Sequence, residues 1–155
     1  MIELRTVAEI DEMRAAGAFI ADVLAATSTE AAFGMNLLDH NALAHAMIRA
    51  SSAESCYIDY HPSFGASPFG KVICTSVNDA ALHGLPFDYR LQDGDLLTLD
   101  FAASVDGWVA DAAVSVIVGT PRDADARLIA IAQESLAAGI EQFRVGNRLG
   151  DVSNA

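Results

Sequence analysis

The sequence has few basic residues, few cysteines and no long uninterrupted hydrophobic run. The chain has nine Lys and Arg but 21 Asp and Glu, which gives a formal net charge of −12. The surface as a whole would therefore repel a nucleic-acid backbone or an anionic membrane. Two cysteines, Cys56 and Cys74, are too few for a disulfide scaffold and lack the Cys-x-x-Cys spacing of a zinc ribbon. Polar residues interrupt every apolar stretch before the roughly 18 residues that a membrane span needs, and the first residues do not resemble a secretory signal. We therefore expect a cytoplasmic protein with neither nucleic acid nor membrane among its partners.

The chain is rich in apolar residues. They make up 52% of its 155 residues, which is enough to form the core of one ordinary domain. We expect a single domain over 1–155. The residues after Gly146 look like the opening of a further helix, and the chain reads as cut off at Ala155.

Local patterns predict an α+β fold. Apolar residues recur at helical spacing over about 7–26, 37–50 and 121–143, and the first two segments follow the capping residues Thr6 and Asn36. Four further segments are rich in β-forming residues: 57–60, 72–76, 96–104 and 108–118. The prediction is an antiparallel sheet flanked by helices.

A hairpin is predicted at Asp106-Gly107, because both central residues of a type I′ turn need positive φ. With that turn, Val105 lies opposite Trp108, and paired residue numbers sum to 213. The register places Asp100 and Asp111 on one face as diagonal neighbours, about 7–8 Å apart at the backbone. The opposite face is apolar and should pack under the helices.

Two aspartates in the middle of β-strands indicate that a cation binds between them, because Asp is disfavoured in strands and like charges repel. Carboxylates on a rigid hairpin suit a divalent ion, and two such ions can share a bridging carboxylate and activate water. The alternative is a solvated sheet face with no ligand. A metal site normally needs at least three ligands, so the pair alone does not define one.

Upstream of the hairpin the sequence resembles the type I methionine aminopeptidases. The matching motifs are Asn78, His83-Gly84-Leu85-Pro86, Asp93-Gly94-Asp95, Leu99-Asp100 and Asp111, and the similarity runs from Glu9–Gly17 to Ala132–Leu136. The resemblance implies the N-terminal half of the pita-bread fold and removal of the initiator methionine from new proteins. It also implies two divalent ions, of Co, Mn, Fe or Zn, with Asp100 chelating one ion and Asp111 bridging both.

The resemblance assigns further residues around the substrate. His83 looks like the family's histidine beside the scissile peptide, where it can donate a hydrogen bond as charge develops. Asn78 resembles a residue whose neighbouring backbone holds a monovalent cation. Cys74 resembles a wall of the methionine side-chain pocket, and Tyr60 or Phe64 supplies an aromatic wall. Plain packing is the alternative for Asn78, Cys74 and the two aromatic residues, and a structural loop histidine is the alternative for His83.

Three histidines do not match a motif. His40 and His45 are five residues apart on the second helix, which does not place two ligands on one face, and we assign both to packing or to the surface. His61 lies in a loop, where it either lines the pocket or is solvated.

The sequence departs from the family in its ligand set. The family uses five metal ligands, and its remaining His and two Glu, with the proton-shuttling Glu among them, belong to the second half of the fold. We expect them beyond this chain. The expected partners are N-terminal Met peptides of nascent proteins, the ribosome, and a second copy bound through the uncovered half of the core.

Two alternatives stay open at this stage. One is a non-catalytic half-fold that binds a peptide or a protein. The other is a different metallohydrolase or a proline-specific relative, although proline-specific members normally carry an extra N-terminal domain.

Overall fold

A computed structural model describes residues 3–61, 63, 65 and 67–155. The chain divides into two compact units, Met1–Gly119 and Thr120–Ala155, so the expectation of a single domain stays a prediction. The elements in chain order are α1 (Val7–Thr29), α2 (Leu37–Arg49), β1 (Ala53–Ser55), β2 (Cys74–Val77), β3 (Leu96–Val105), β4 (Trp108–Ile117), α3 (Asp123–Gln142) and α4 (Leu149–Asn154). The α+β class is confirmed.

The first two helices begin where their caps predict. At α1 the Thr6 hydroxyl accepts from the backbone N–H of Glu9, and the Glu9 carboxylate accepts from the N–H of Thr6, which completes a capping box. At α2 the Asn36 side-chain oxygen accepts from the N–H of Leu38 at 2.9 Å. Asn36 also donates to Asp88 at 2.7 Å, so the same residue fastens the helix start to a distant loop.

The sheet is antiparallel and is built around β3. β4 pairs with one edge of β3, while β1 and β2 share the other edge. The predicted hairpin register is confirmed: Val105 lies opposite Trp108, and Asp106 and Gly107 have φ values of 51° and 84°. This register sends alternate side chains of β3 to opposite faces.

One predicted strand is misplaced. The segment 57–60 is not a strand, and β1 instead covers Ala53–Ser55. The physical reason is the Ser55 hydroxyl, which accepts from the N–H groups of Tyr57 and Ile58 at 3.2 Å each and turns the chain out of the sheet. The turn delivers the Tyr57 side chain to the sheet face that carries Asp100.

The apolar face of the hairpin packs under α1. Leu97, Leu99 and Phe101 of β3 are fully buried, and the rings of Phe19 and Phe101 lie 6.2 Å apart. Trp108 at the hairpin end donates from its indole N–H to the Glu12 carboxylate at 2.9 Å. With this face covered by the helix, the opposite face is left for polar side chains.

The second unit contains α3 and α4. The third helix, predicted over about 121–143, is confirmed and spans Asp123–Gln142. Gly139 of α3 lies against Val152 of α4, and neither helix has a fully buried residue. Within the described part of the chain, no helix is both long and apolar enough to cross a membrane.

Candidate functional site

The two strand aspartates lie together on the open face of the hairpin. Asp100 is directly opposite Ala113, and Asp111 is opposite Ala102, which makes the two carboxylates diagonal neighbours as the turn predicts. Desolvation by surrounding protein atoms, followed by the negative charge of Asp100, raises the pKa of Asp111 above its ordinary value. The pair therefore repels itself electrostatically and is suited to a cation.

A tyrosine outside the predicted motifs contacts this pair. The Tyr57 hydroxyl donates to Oδ1 of Asp100 at 2.9 Å across 43 residues of sequence. Burial, followed by the hydrogen bond and charge of Asp100, raises the pKa of Tyr57, so the phenol remains a proton donor. Sequence analysis missed this residue because 57–60 reads as a strand. An aromatic residue with a polar tip next to a strand end was the available signal.

Both cysteine thiols lie beside the carboxylates. Cys74 is directly opposite Asp100 and is buried, and burial raises the pKa of its thiol to about 12, with the charges of Asp100 and Asp111 adding to the effect. The backbone N–H of Cys56 donates to the carbonyl of Ala102 on β3. Burial, with Asp111 next in size, raises the pKa of Cys56 as well. These thiols stay neutral and present sulfur rather than charge to the site.

His83 lies in the loop that follows β2. The smallest of the effects on the pKa of Asp111 is a lowering by His83, so the loop places this histidine within electrostatic range of that carboxyl. His83 has a φ of 56°, a left-handed conformation that is uncommon for a residue with a side chain. Next to it, the Gly84 carbonyl accepts from the N–H of Thr75 on β2 at 2.7 Å. The loop is thus fastened to the sheet at the residue that follows the histidine.

Asn78 begins the same loop and has a φ of 54°. Its side-chain oxygen accepts from the N–H of Leu96 at 3.0 Å, and its amide nitrogen donates to Asp95 at 2.9 Å. The buried Asp95 also accepts from the Tyr89 hydroxyl and from the N–H of Gln92, both at 2.8 Å. The Asn78 side chain therefore ties the loop to the start of β3. The monovalent cation at its backbone stays a prediction.

The remaining candidates are placed differently. Tyr60 is exposed, and its carbonyl accepts from the N–H of Phe69. Phe64, the alternative aromatic wall, lies outside the described residues. A ring nitrogen of His61 lies 3.0 Å from the Gly65 carbonyl oxygen. His40 is fully buried in the core, in agreement with the packing role assigned to it.

The donor chemistry fits a divalent cation in part. Paired carboxylate oxygens suit such ions, and the mutual repulsion of Asp100 and Asp111 would be relieved by one. Among the described residues, no group of three or more His, Cys, Asp or Glu side chains is arranged to hold a metal. The two aspartates are therefore the candidate ligands that this chain contributes.

Known proteins resemble this chain along nearly its whole length. The methionine aminopeptidase 1 of Mycobacterium tuberculosis is 41% identical over 156 residues, which cover 100% of this chain and 56% of that protein. The crystal structure of the methionine aminopeptidase from Rickettsia prowazekii matches 98% of this chain and 59% of its own, with a TM-score of 0.91 and 32% identity. The chain therefore spans a little more than half the length of these relatives, and the predicted pita-bread fold is confirmed.

A weaker likeness extends to proline-specific enzymes. The prolidase from Pyrococcus horikoshii matches 90% of this chain with a TM-score of 0.73 but only 18% identity, which shows a shared fold alone. The model of metallopeptidase family M24 matches residues 11–155. The predicted resemblance to methionine aminopeptidases is confirmed, and the chain belongs to metallopeptidase family M24.

Proposed function

We propose that the natural protein removes the N-terminal methionine from newly made proteins in a metal-dependent hydrolysis. The observation that carries the proposal is the pair Asp100 and Asp111, brought together on one sheet face with His83 within electrostatic range of Asp111. The M24 family is one of metallopeptidases, and the relatives named above are methionine aminopeptidases. The geometry of the site and the similarity to these relatives therefore both favour metal-dependent peptide hydrolysis.

Asp100 and Asp111 would hold two divalent ions of Mn, Co, Fe or Zn. A bound divalent ion lowers the pKa of a water ligand and polarises a peptide carbonyl. In the proposed roles, Asp100 would be a ligand of one ion, and Asp111 would contribute its carboxylate to both. Because the hairpin is rigid, it holds the carboxylates in place before the ions and the substrate bind, so no conformational entropy is lost in ordering them.

His83 would act on the substrate rather than on the ions. Its imidazole can donate a hydrogen bond to the scissile peptide group as negative charge develops there. The loop that presents it is fastened by Gly84 to β2, so the ring position is set by the sheet. Cys74 and Tyr60 are the proposed walls for the methionine side chain, and the backbone near Asn78 is the proposed monovalent-cation site.

The test is release of methionine from Met-Ala-Ser by the protein isolated at the length at which the cell makes it, with added Mn²⁺. The D111N variant should lose at least about 100-fold in kcat/KM, because the carboxylate is proposed to act on both ions. The D106N variant is a matched control: it makes the same change in the turn of the same hairpin, at a positive φ that Asn tolerates. Equal activity of the two variants would contradict the proposal.

The same assay separates the alternatives. Cleavage of an Xaa-Pro peptide in preference to Met-Ala-Ser would indicate a proline-specific enzyme. Tight binding of a Met peptide without release of methionine would indicate a non-catalytic binding module. The lower identity of the prolidase, 18% against 41%, favours the methionine-specific reading.

The proposed setting is the cytoplasm, at the N-termini of nascent chains on the ribosome. Cell fractionation and co-sedimentation with ribosomes test these two points. Self-association is a further proposal, because several large apolar side chains of α3 are exposed, among them Leu128, Leu136 and Ile140. Light scattering coupled to size-exclusion chromatography would report the dimer directly.

A further inference from the structure

The contact between Tyr57 and Asp100 has no role in the function proposed so far. Tyr57 follows β1 by two residues, and its hydroxyl donates to Oδ1 of Asp100 at 2.9 Å. The bond is partly buried and joins the turn after β1 to a proposed metal ligand. A hydrogen bond to a charged acceptor is shorter and stronger than one between neutral groups.

The tyrosine is itself held in place. Its backbone N–H donates to the Ser55 hydroxyl, and its ring meets Phe69 edge-on, with ring centroids 5.7 Å apart at 69°. The loop closes behind it, because the N–H of Gly70 donates to the carbonyl of Ile58 at 3.1 Å. The hydroxyl is therefore presented by a supported ring rather than by a free side chain.

The consequence concerns the orientation of Asp100. A carboxylate on a strand can rotate about χ2, since this terminal torsion is broad. A fixed donor on Oδ1 restricts that rotation and leaves the group as an oriented, charged acceptor. Replacing a group that orients a metal ligand in this way commonly weakens metal binding by about 10–100-fold.

We propose that Tyr57 is a positioning residue of the metal centre, which orients the Asp100 carboxylate through its hydroxyl and couples the loop between β1 and β2 to metal binding. The inference rests on the proposed function, because it takes Asp100 to be a metal ligand. No part of it requires Tyr57 to touch the substrate or the ion.

The experiment compares Y57F with Y89F in the protein at its natural length. Each substitution removes one phenol hydroxyl that donates to an aspartate, Asp100 for Tyr57 and the buried Asp95 for Tyr89. Calorimetric titration with Mn²⁺ should show about 10–100-fold weaker binding for Y57F and unchanged binding for Y89F. The visible absorption of the Co²⁺ form should change in Y57F alone, because a reoriented ligand changes the coordination geometry.

Each outcome separates the inference from the function. Y57F with wild-type Mn²⁺ affinity and an unchanged Co²⁺ spectrum overturns the inference and leaves the function standing. Wild-type protein that binds Mn²⁺ no better than D100A overturns both. Circular dichroism checks the fold of each variant. Should Y57F unfold, the F69L variant is measured instead, because it keeps the Tyr57 hydroxyl but loosens the support of its ring. A several-fold loss of Mn²⁺ affinity in F69L would support the inference. Wild-type Mn²⁺ affinity would overturn it.

Discussion

Replacing Gly84 with alanine should damage the loop that carries His83. A Cβ at this position would lie 2.5 Å from the carbonyl oxygen of Thr75 and 2.8 Å from the Cα of Ser76, both of them backbone atoms that cannot rotate away. The loop must then move off β2, which strains or breaks the bond from the Thr75 N–H to the Gly84 carbonyl. Overpacking costs about 1–3 kcal/mol and a lost hydrogen bond about 1 kcal/mol, so G84A should lose about 2–4 kcal/mol of unfolding free energy.

The assay is thermal unfolding followed by circular dichroism. For a chain of this size, each kcal/mol corresponds to about 2–4 °C, so Tm should fall by about 4–16 °C. G17A is the matched control, because a Cβ at this helical glycine meets nothing within 4 Å and alanine favours the helix by about 1 kcal/mol. A G84A protein with unchanged Tm would refute the argument that backbone contact excludes a side chain here. Activity should also fall at temperatures where G84A is still folded, because His83 is displaced with its neighbour.

Three further predictions concern the core and the helix start. N36A should lose about 1–2 kcal/mol from the missing cap and more from the broken bond to Asp88, and a urea titration would show it as a lower midpoint. Burial lowers the pKa of His40, so the unfolded chain binds more protons below about pH 6.5 and stability is lost as the pH falls through that value. Between pH 7 and 5, Tm should therefore fall less in H40L than in the wild type. The same fall of Tm in both proteins would contradict this. F101A should lose about 3–5 kcal/mol because its ring is fully buried, and a loss below about 1 kcal/mol in guanidinium unfolding would show that the site collapses around it.

Some features of this protein are encoded locally and could be predicted from the sequence. The Asp106-Gly107 turn sets the strand register because both residues adopt positive φ, and this register alone brings Asp100 and Asp111 to one face. The start of α1 is encoded just as locally, because Thr6 and Glu9 form a capping box three residues apart. Each of these signals depends on residues only a few positions apart, so no tertiary information is needed.

Other features depend on contacts between distant residues. The turn at Ser55 overrides the β-forming character of 57–60 and sends Tyr57 to Asp100, which lies 43 residues further along the chain. Asp95, read from the sequence only as part of a motif, proves to be a buried acceptor for three donors. Periodicity carries no information about such pairings, because they are selected by packing and by the need to satisfy buried polar groups.

The sequence alone therefore determined the carboxylate pair, the hairpin beneath it and the family to which the motifs belong. The tertiary structure decided what contacts the pair: it placed the phenol hydroxyl of Tyr57 on Asp100 and set Cys74 directly opposite Asp100. The physical reason is the range of the interactions. A turn and its register are governed by backbone torsions of adjacent residues, whereas the environment of a side chain is governed by whichever distant segments the folded core brings against it.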